Sequence, residues 1–416
     1  MENSKIVSVP FTAYQKFVIA LLAFLQFTII LDFMILSPLG ALLLPALKIS
    51  TSQFGAVVSA YAVSAALSGF LTAGFADQFD RKKLLLFFYT GFVFGTLLCG
   101  LAPTYEFLLG ARIVTGLFGG VIGSIVMAIL TDLFPLQQRG RVMGFLQTAF
   151  AASQVLGLPI GLYLSNIWGW HMPFIMIVVI SVIAGFFIIV YLKPINAHLK
   201  IQTDKKAYLH LWHTLKVPKY ILAFATTAFL SIGGFMMMPF SSAYTVNNLG
   251  LHQDQLPTIY LITGLVSILI GPLVGKLSDL FGKFRMYIFG SVLSMVMVVI
   301  YTHLGVTSLA VVILVNAIMF IGIFSRMIPS QALMSAIPTA ANRGAFMSIG
   351  ASLQQLAGGL GSMIAGMIVV QQADGMILHF EVIGYVMCGL TMFTLFMMYF
   401  INKDIAARAS TVAPNP

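Results

Sequence analysis

Ala73-Gly-Phe-Ala-Asp-Gln-Phe-Asp-Arg-Lys-Lys83 lies between two long apolar runs, and Gly275-Lys-Leu-Ser-Asp-Leu-Phe-Gly-Lys-Phe-Arg285 lies between two later ones, 202 positions on. Superposed, the stretches match Asp77 with Asp279 and Phe79 with Phe281. The match continues upstream through Leu71/Leu273, Gly69/Gly271, Leu67/Leu269 and Gln53/Gln255. A second match, offset by 204, sets Arg139-Gly-Arg-Val-Met143 against Arg343-Gly-Ala-Phe-Met347 and Gly157 against Gly361. A repeat near half the chain length reads as two copies of one unit. Charged loops between apolar runs make that unit a bundle of membrane helices.

The composition agrees. The chain is 59% hydrophobic and only 8% charged, where soluble domains carry about 25% charge. Roughly 20 apolar residues cross a bilayer as a helix. Twelve runs reach that length, at about 17–43, 53–75, 84–102, 106–131, 142–165, 171–192, 220–246, 256–275, 286–303, 308–333, 345–370 and 380–401. The expected fold is therefore all-α and polytopic. Residues 1–192 form an amino-terminal six-helix half, 193–219 a basic cytoplasmic linker, and 220–416 the second half with a short tail. An even number of spans separates the copies, so the repeat is of the parallel kind.

The net charge is +10, and its placement orients the chain. Lys and Arg cluster at the amino end, at 81–83, 139–141, 193–219, 276–285 and 343, and at the carboxyl end; Lys48 is the exception on the alternate loops. By the positive-inside rule both ends and the basic loops are cytoplasmic. A basic chain also raises nucleic acid as a partner. Charge confined to short loops between spans favours orientation instead, so no nucleic acid is expected. The amino end shows no small-residue cleavage pattern. Cys99 and Cys388 both fall within apolar runs and suggest neither a disulfide framework nor a metal site.

Two six-helix halves joined by a basic loop, with these motifs, resemble the major facilitator superfamily over nearly the whole chain. The family signature between helices two and three is Gly-x-Leu-Ala-Asp-Arg-x-Gly-Arg-Lys. The carboxyl-half copy fits through Gly275, Leu277, Asp279, Gly282 and Lys283; the amino-half copy keeps Asp77, Arg81 and Lys82 but has Ala73 and Asp80 at the glycine positions. A tight turn at residue 80 would ask an Asp for positive φ, which Gly adopts more easily. The resemblance implies that Asp77 latches the halves on the cytoplasmic side, with Arg81, Lys82, Asp279, Arg139 and Arg343 grouped at the same gate. The residues alone also allow Asp77 to be a simple helix cap.

Ionisable groups inside a bilayer are costly and are functional candidates by default. Asp32 in helix one lies about 22 Å in from the cytoplasmic end, at 1.5 Å per residue. Arg112 in helix four lies about 21 Å from the same face of a core about 30 Å thick. Their equal depth makes them candidate partners. Burial favours the neutral acid and the arginine favours the carboxylate, so the pair suits proton coupling. The alternative is a permanently ionised structural pair. Arg112 and Gly116 also resemble the family's helix-four Arg-x-x-x-Gly motif, and Asp32 the helix-one acid of drug:proton antiporters. Arg326 in helix ten reads as snorkelling to the interface, with a substrate contact as the alternative.

Helix five carries Gly144, Gly157, Pro159 and Gly161, then Trp168-Gly-Trp-His-Met-Pro-Phe174 at its outer edge. Small residues allow close helix approach, and Pro with Gly allows a bend. The arrangement resembles the antiporter motif of arabinose-efflux-permease-like exporters. The plain alternative is small-residue packing. Gln147, Gln154, Met236, Asn316 and Gln354 are candidates for a substrate cavity, with interhelical packing as the alternative.

The leading expectation is a proton-coupled exporter of small molecules (a drug, sugar or metabolite), acting as a monomer in a bacterial inner membrane and drawing on the proton gradient with no cofactor. An importer or facilitator is the alternative within transport. A membrane enzyme or sensor is the remote one, since HExxH, cysteine-pair and P-loop patterns are absent from the sequence.

Overall fold

A computed structural model describes residues 10–72, 78–196, 199, 213–339 and 342–412. Span one is α1 (Ala13–Ile35) followed by α2 (Gly40–Leu47). Then come α3 (Thr51–Thr72), α4 (Arg81–Gly100) and α5 (Tyr105–Leu133). Span five is α6 (Leu136–Ala152), a π-helical turn (Ser153–Gly157) and α7 (Leu158–Trp168). Span six is α8 (Met172–Tyr191). Span seven is α9 (Pro218–Met236) with α10 (Ser241–Asn247). The rest are α11 (Leu256–Phe281), α12 (Lys283–Thr302), α13 (Leu309–Ser335), α14 (Arg343–Ile368) and α15 (Phe380–Val412).

Among the described residues, 11 of these stretches are long and apolar enough to cross a membrane. α14 is as long, but Gln354, Gln355 and its glycines dilute its apolar character. With it the chain has twelve spans. Phe87, Ile189, Leu269, Leu314 and Phe396 stand on the outer surface with more than half of their area exposed. A perimeter of this kind is stable only against lipid.

Local sequence sets the helix ends. Thr12 and Gln15 form a reciprocal capping box at the start of α1. Thr104 caps α5. At the repeated loop the two copies use different devices. Asp80 has φ −57° and accepts from the Lys83 amide at 3.0 Å, so it is an N-cap and makes no positive-φ turn. Gly282, its equivalent in the second copy, has φ +94°. The glycine of the family pattern is thus replaced by a capping aspartate.

Spans one and seven break in the same way. α1 stops before Pro38 and α9 before Pro239, and each resumes as a short helix. Span five bends differently. Pro159 has no N–H to give the Val155 carbonyl, and the preceding turn widens to a π turn.

Residues before 192 meet residues after 218 along α3 and α14 and at the end away from the basic loops. Thr51 donates to the Val369 carbonyl at 2.6 Å, Ser242 to the Ser37 carbonyl at 3.2 Å and Asn166 to the Gln253 carbonyl at 3.3 Å. A two-stranded hairpin, β1 (Val370–Gln371) with β2 (Ile377–Leu378), is held there by Asn248, which bonds both the amide and the carbonyl of Ile377 at 2.9 Å. α3 and α14 stay close along their length. A Cβ on Gly55 would come within 2.8 Å of the Ser362 carbonyl, and one on Gly69, near the other end, within 3.2 Å of Ser352. Span five and α11 behave otherwise. A Cβ on Gly264 would lie 2.9 Å from Val155, but two and three turns on, along the same face, Gly271 and Gly275 meet nothing within 4 Å. The two spans part toward the basic-loop end.

Candidate functional site

Asp32 and Arg112 are both fully buried, at 0% and 1% exposure, with Oδ2 and Nη1 2.8 Å apart. Thr96 of α4 donates to the other carboxylate oxygen at 3.1 Å. Arg112 also reaches the Asp32 backbone carbonyl at 3.4 Å and lies 4.6 Å above the Tyr61 ring. α1, α3, α4 and α5 therefore each supply one member. Close packing makes this possible: a Cβ on Gly116 would fall 2.4 Å from the Tyr61 carbonyl oxygen, and one on Gly95 would fall 2.8 Å from the Thr115 amide nitrogen. A buried ion pair needs its remaining valences filled to offset desolvation. Here Thr96 and the Tyr61 face help, while Nε of Arg112 has no hydrogen-bond partner among the described residues. Asp32 and Arg112 are legible in the sequence as rare charges at equal depth in two apolar runs. Thr96 and Tyr61 carried no signal, being one hydroxyl and one aromatic among many in apolar runs.

The next two residues of α1, Phe33 and Met34, line a cavity of about 340 Å³, and the Phe33 ring also packs 5.5 Å from that of Tyr61. Its wall includes Phe235, Met237 and Met238 of span seven, Tyr260 of α11, Tyr301 of α12 and Asn316 of α13. No lining residue carries a formal charge. Phe33 and Phe235 meet across it with ring centroids 5.7 Å apart. Gln154, on the π turn, also lines it, and its buried Oε1 has no hydrogen-bond donor among the described residues. Asn316 donates to the Val312 carbonyl at 2.9 Å, within its own helix.

Of the five cavity candidates from the sequence, Gln154 and Asn316 line this space. Met236 is fully buried behind it, because α9 ends at Met236 and the turn presents Met237 and Met238 instead. Gln147 and Gln354 are exposed and lie off the wall.

In the helix-five motif, Gly157 and Gly161 face α1. A Cβ on Gly157 would approach Leu31 to 2.6 Å, and one on Gly161 would approach Ile35 to 2.8 Å. Gly144 meets nothing within 4 Å. Pro159 starts α7 after the π turn. Trp168 is exposed, whereas Trp170 is buried and stacks on His171 at 3.7 Å.

Asp77 and the side chain of Arg343 lie outside the described residues. Arg81 pairs with Asp132 of α5 at 3.1 Å, and Lys82 donates to the Ile189 carbonyl of α8 at 2.9 Å. Arg139 donates to the Thr131 and Phe134 carbonyls, closing the carboxyl end of α5. Asp279 pairs with Lys283 at 3.4 Å in an exposed contact across the α11–α12 turn. These bonds join neighbouring spans on one side of the linker. Arg326 is 6% exposed and donates to Thr391 at 2.7 Å, so it does not snorkel. An interior hydroxyl holds it, where the sequence suggested the interface.

The family model of the Major Facilitator Superfamily matches residues 22–362. The uncharacterized MFS-type transporter YceJ of Bacillus subtilis is 29% identical over 271 residues, 64% of this chain and 68% of its own length. Multidrug resistance protein 3 of Bacillus subtilis is 33% identical over 155 residues, 37% of this chain and 30% of its own. A solved bacterial homologue of the human lysosomal transporter Spinster, inward-facing and occupied, superposes with TM-score 0.71 at 14% identity, covering 98% of this chain and 100% of that one. The all-α twelve-span fold, the buried ion pair and the interior cavity thus find their place: the chain belongs to the Major Facilitator Superfamily, as a multi-pass secondary transporter and not an enzyme.

Proposed function

We propose that this protein exports apolar small molecules in exchange for protons, the two six-helix halves rocking about the cavity between them. One observation carries the reading. Successive residues of α1 serve the two tasks: Asp32 holds Arg112, while Phe33 and Met34 line the cavity. A ligand that moves this short segment alters the ion pair directly. Protonation of Asp32 would release Arg112 and let α1 shift, so proton and substrate compete through one helix.

The cavity supports an apolar cargo. Its aromatic and methionine wall adapts to varied shapes, and Gln154 offers one free acceptor. The multidrug relative named above is in keeping with this class. The basic loops favour cytoplasmic termini, and the bacterial relatives favour the inner membrane. The protein is read as a monomer with residues 193–219 linking the halves.

The test is transport in proteoliposomes with an imposed pH gradient. Wild-type protein is expected to move a lipophilic dye against the proton gradient, and Asp32→Asn to lose gradient-driven movement while still exchanging dye for dye. Gradient-driven transport undiminished in Asp32→Asn would sink the reading, and uptake running with the proton would make the protein an importer.

A further inference from the structure

The second half also buries an arginine, but it is neutralised differently. Arg326 of α13 is 6% exposed, and its one hydrogen bond to a described residue runs from Nη1 to Thr391 of α15 at 2.7 Å. A guanidinium has five N–H donors. No carboxylate is within reach among the described residues. α12 and α13 contain no acid, and the acids of α15, Glu381 and Asp404, are ten and thirteen residues from Thr391, about 15 and 20 Å along the helix. The other ionisable neighbours, Tyr287 and Cys388, are neutral groups that supply no counter-charge. Tyr287 donates its hydroxyl to Thr394, and Cys388 directs its thiol at the Met295 carbonyl.

The surroundings are built for a polar guest. Ser325 and Ser291 are buried at 1% and 0% exposure; the Ser325 hydroxyl has no hydrogen-bond partner among the described residues, and the Ser291 hydroxyl neighbours that of Tyr287. The two serines sit where α12 and α13 cross closely: a Cβ on Gly290 would lie 2.5 Å from both the Arg326 backbone nitrogen and the Ser325 carbonyl carbon. An uncompensated buried charge is strongly destabilising, and each buried hydroxyl without a partner adds to that. One small acceptor ion would satisfy the guanidinium and the Ser325 hydroxyl together.

We propose that Arg326, Thr391, Ser291 and Ser325 form a site for a small monovalent anion, a halide or a carboxylate, between α12, α13 and α15. The first half supplies its buried arginine with a covalently attached carboxylate; the second takes its counter-ion from solution or from an acidic group on a ligand. The site lies outside the cavity wall, one turn beyond Ile323 and Met387, which do line it. It does not depend on the direction of transport.

The experiment is thermal unfolding of the purified full chain in nanodiscs, with the sodium salt of a bulky sulfonate (morpholinoethanesulfonate) replaced by sodium chloride, or by sodium acetate, at constant ionic strength. The midpoint of wild-type protein is expected to rise saturably, on the order of 2 °C. Arg326→Gln is expected to abolish that dependence. Thr391→Val keeps the charge and serves if Arg326→Gln does not fold; it is expected to move half-saturation to higher concentration. Saturation with chloride identifies a free halide, and saturation with acetate identifies a carboxylate; either supports the site. A wild-type midpoint indifferent to both ions, or a response unchanged in the variant that folds, overturns it.

Discussion

Asp32 bonds Arg112 at 2.8 Å, while Phe33, its chain neighbour, lines the cavity and packs on Tyr61, the ring that Arg112 lies over. The pair is also a structural tie between α1 and α5. Removing one partner of a buried pair costs about 3–5 kcal/mol, since the other charge remains without compensation. Arg112→Met is therefore expected to lower thermal stability strongly. The double variant Asp32→Asn with Arg112→Met is expected to recover much of the loss. Unfolding of all three proteins in nanodiscs gives the comparison, and a double variant as unstable as Arg112→Met contradicts it.

Gln154 places an unpartnered carbonyl oxygen beside the cavity. Replacing it with Leu removes a buried acceptor, so stability is expected to hold or to rise by about 1 kcal/mol. Ligands that donate a hydrogen bond are expected to bind about tenfold more weakly, a loss of roughly 1.4 kcal/mol. Ligands without a donor should be unaffected. Binding measured on a matched donor and non-donor ligand pair separates these outcomes.

The repeated loop makes a prediction that differs between its copies. Asp80→Gly retains a tolerated cap residue and is expected to cost only a few tenths of a kcal/mol, and Asp80→Ala about 1 kcal/mol. At the equivalent position Gly282→Ala forces a side chain into φ +94° and is expected to cost about 1–3 kcal/mol. Thermal unfolding checks the order. Equal effects of Ala at 80 and 282 would contradict the two-device reading.

Much of this was legible before the structure. Membrane helices are encoded in run length, so the twelve spans emerged, with most ends displaced by a few residues and the last helix running on to Val412 rather than 401. The Asp32–Arg112 contact was legible because charges are rare in lipid and depth can be counted. The π turn was not legible, since it arises from how span five accommodates Pro159 while packing on Leu31 and Ile35. Met236 was misplaced for a related reason: the break before Pro239 rotates Met237 and Met238 onto the wall. Arg326 showed the limit of a local rule. Its place along α13 resembled an interface position, but the hydroxyl that holds it comes from α15, which only tertiary packing brings near.

The parting of span five from α11 predicts accessibility. In a variant lacking Cys99 and Cys388, single cysteines at Gly271 and Gly275 are expected to react with a membrane-impermeant maleimide applied from the basic-loop side. A cysteine at Gly264, which packs on Gln154 and Val155, is expected to react far more slowly. Uniform reactivity along the three positions would contradict the geometry.

The most direct test of coupling through α1 is the count of protons released when ligand binds. Purified protein in weak buffer is mixed with a lipophilic amine, and a pH dye reports the release. Wild-type protein is expected to release protons in proportion to ligand bound over the pH range in which Asp32 exchanges its proton. Asp32→Asn is expected to bind the ligand and release none. Proton release by Asp32→Asn equal to that of wild type would contradict the account.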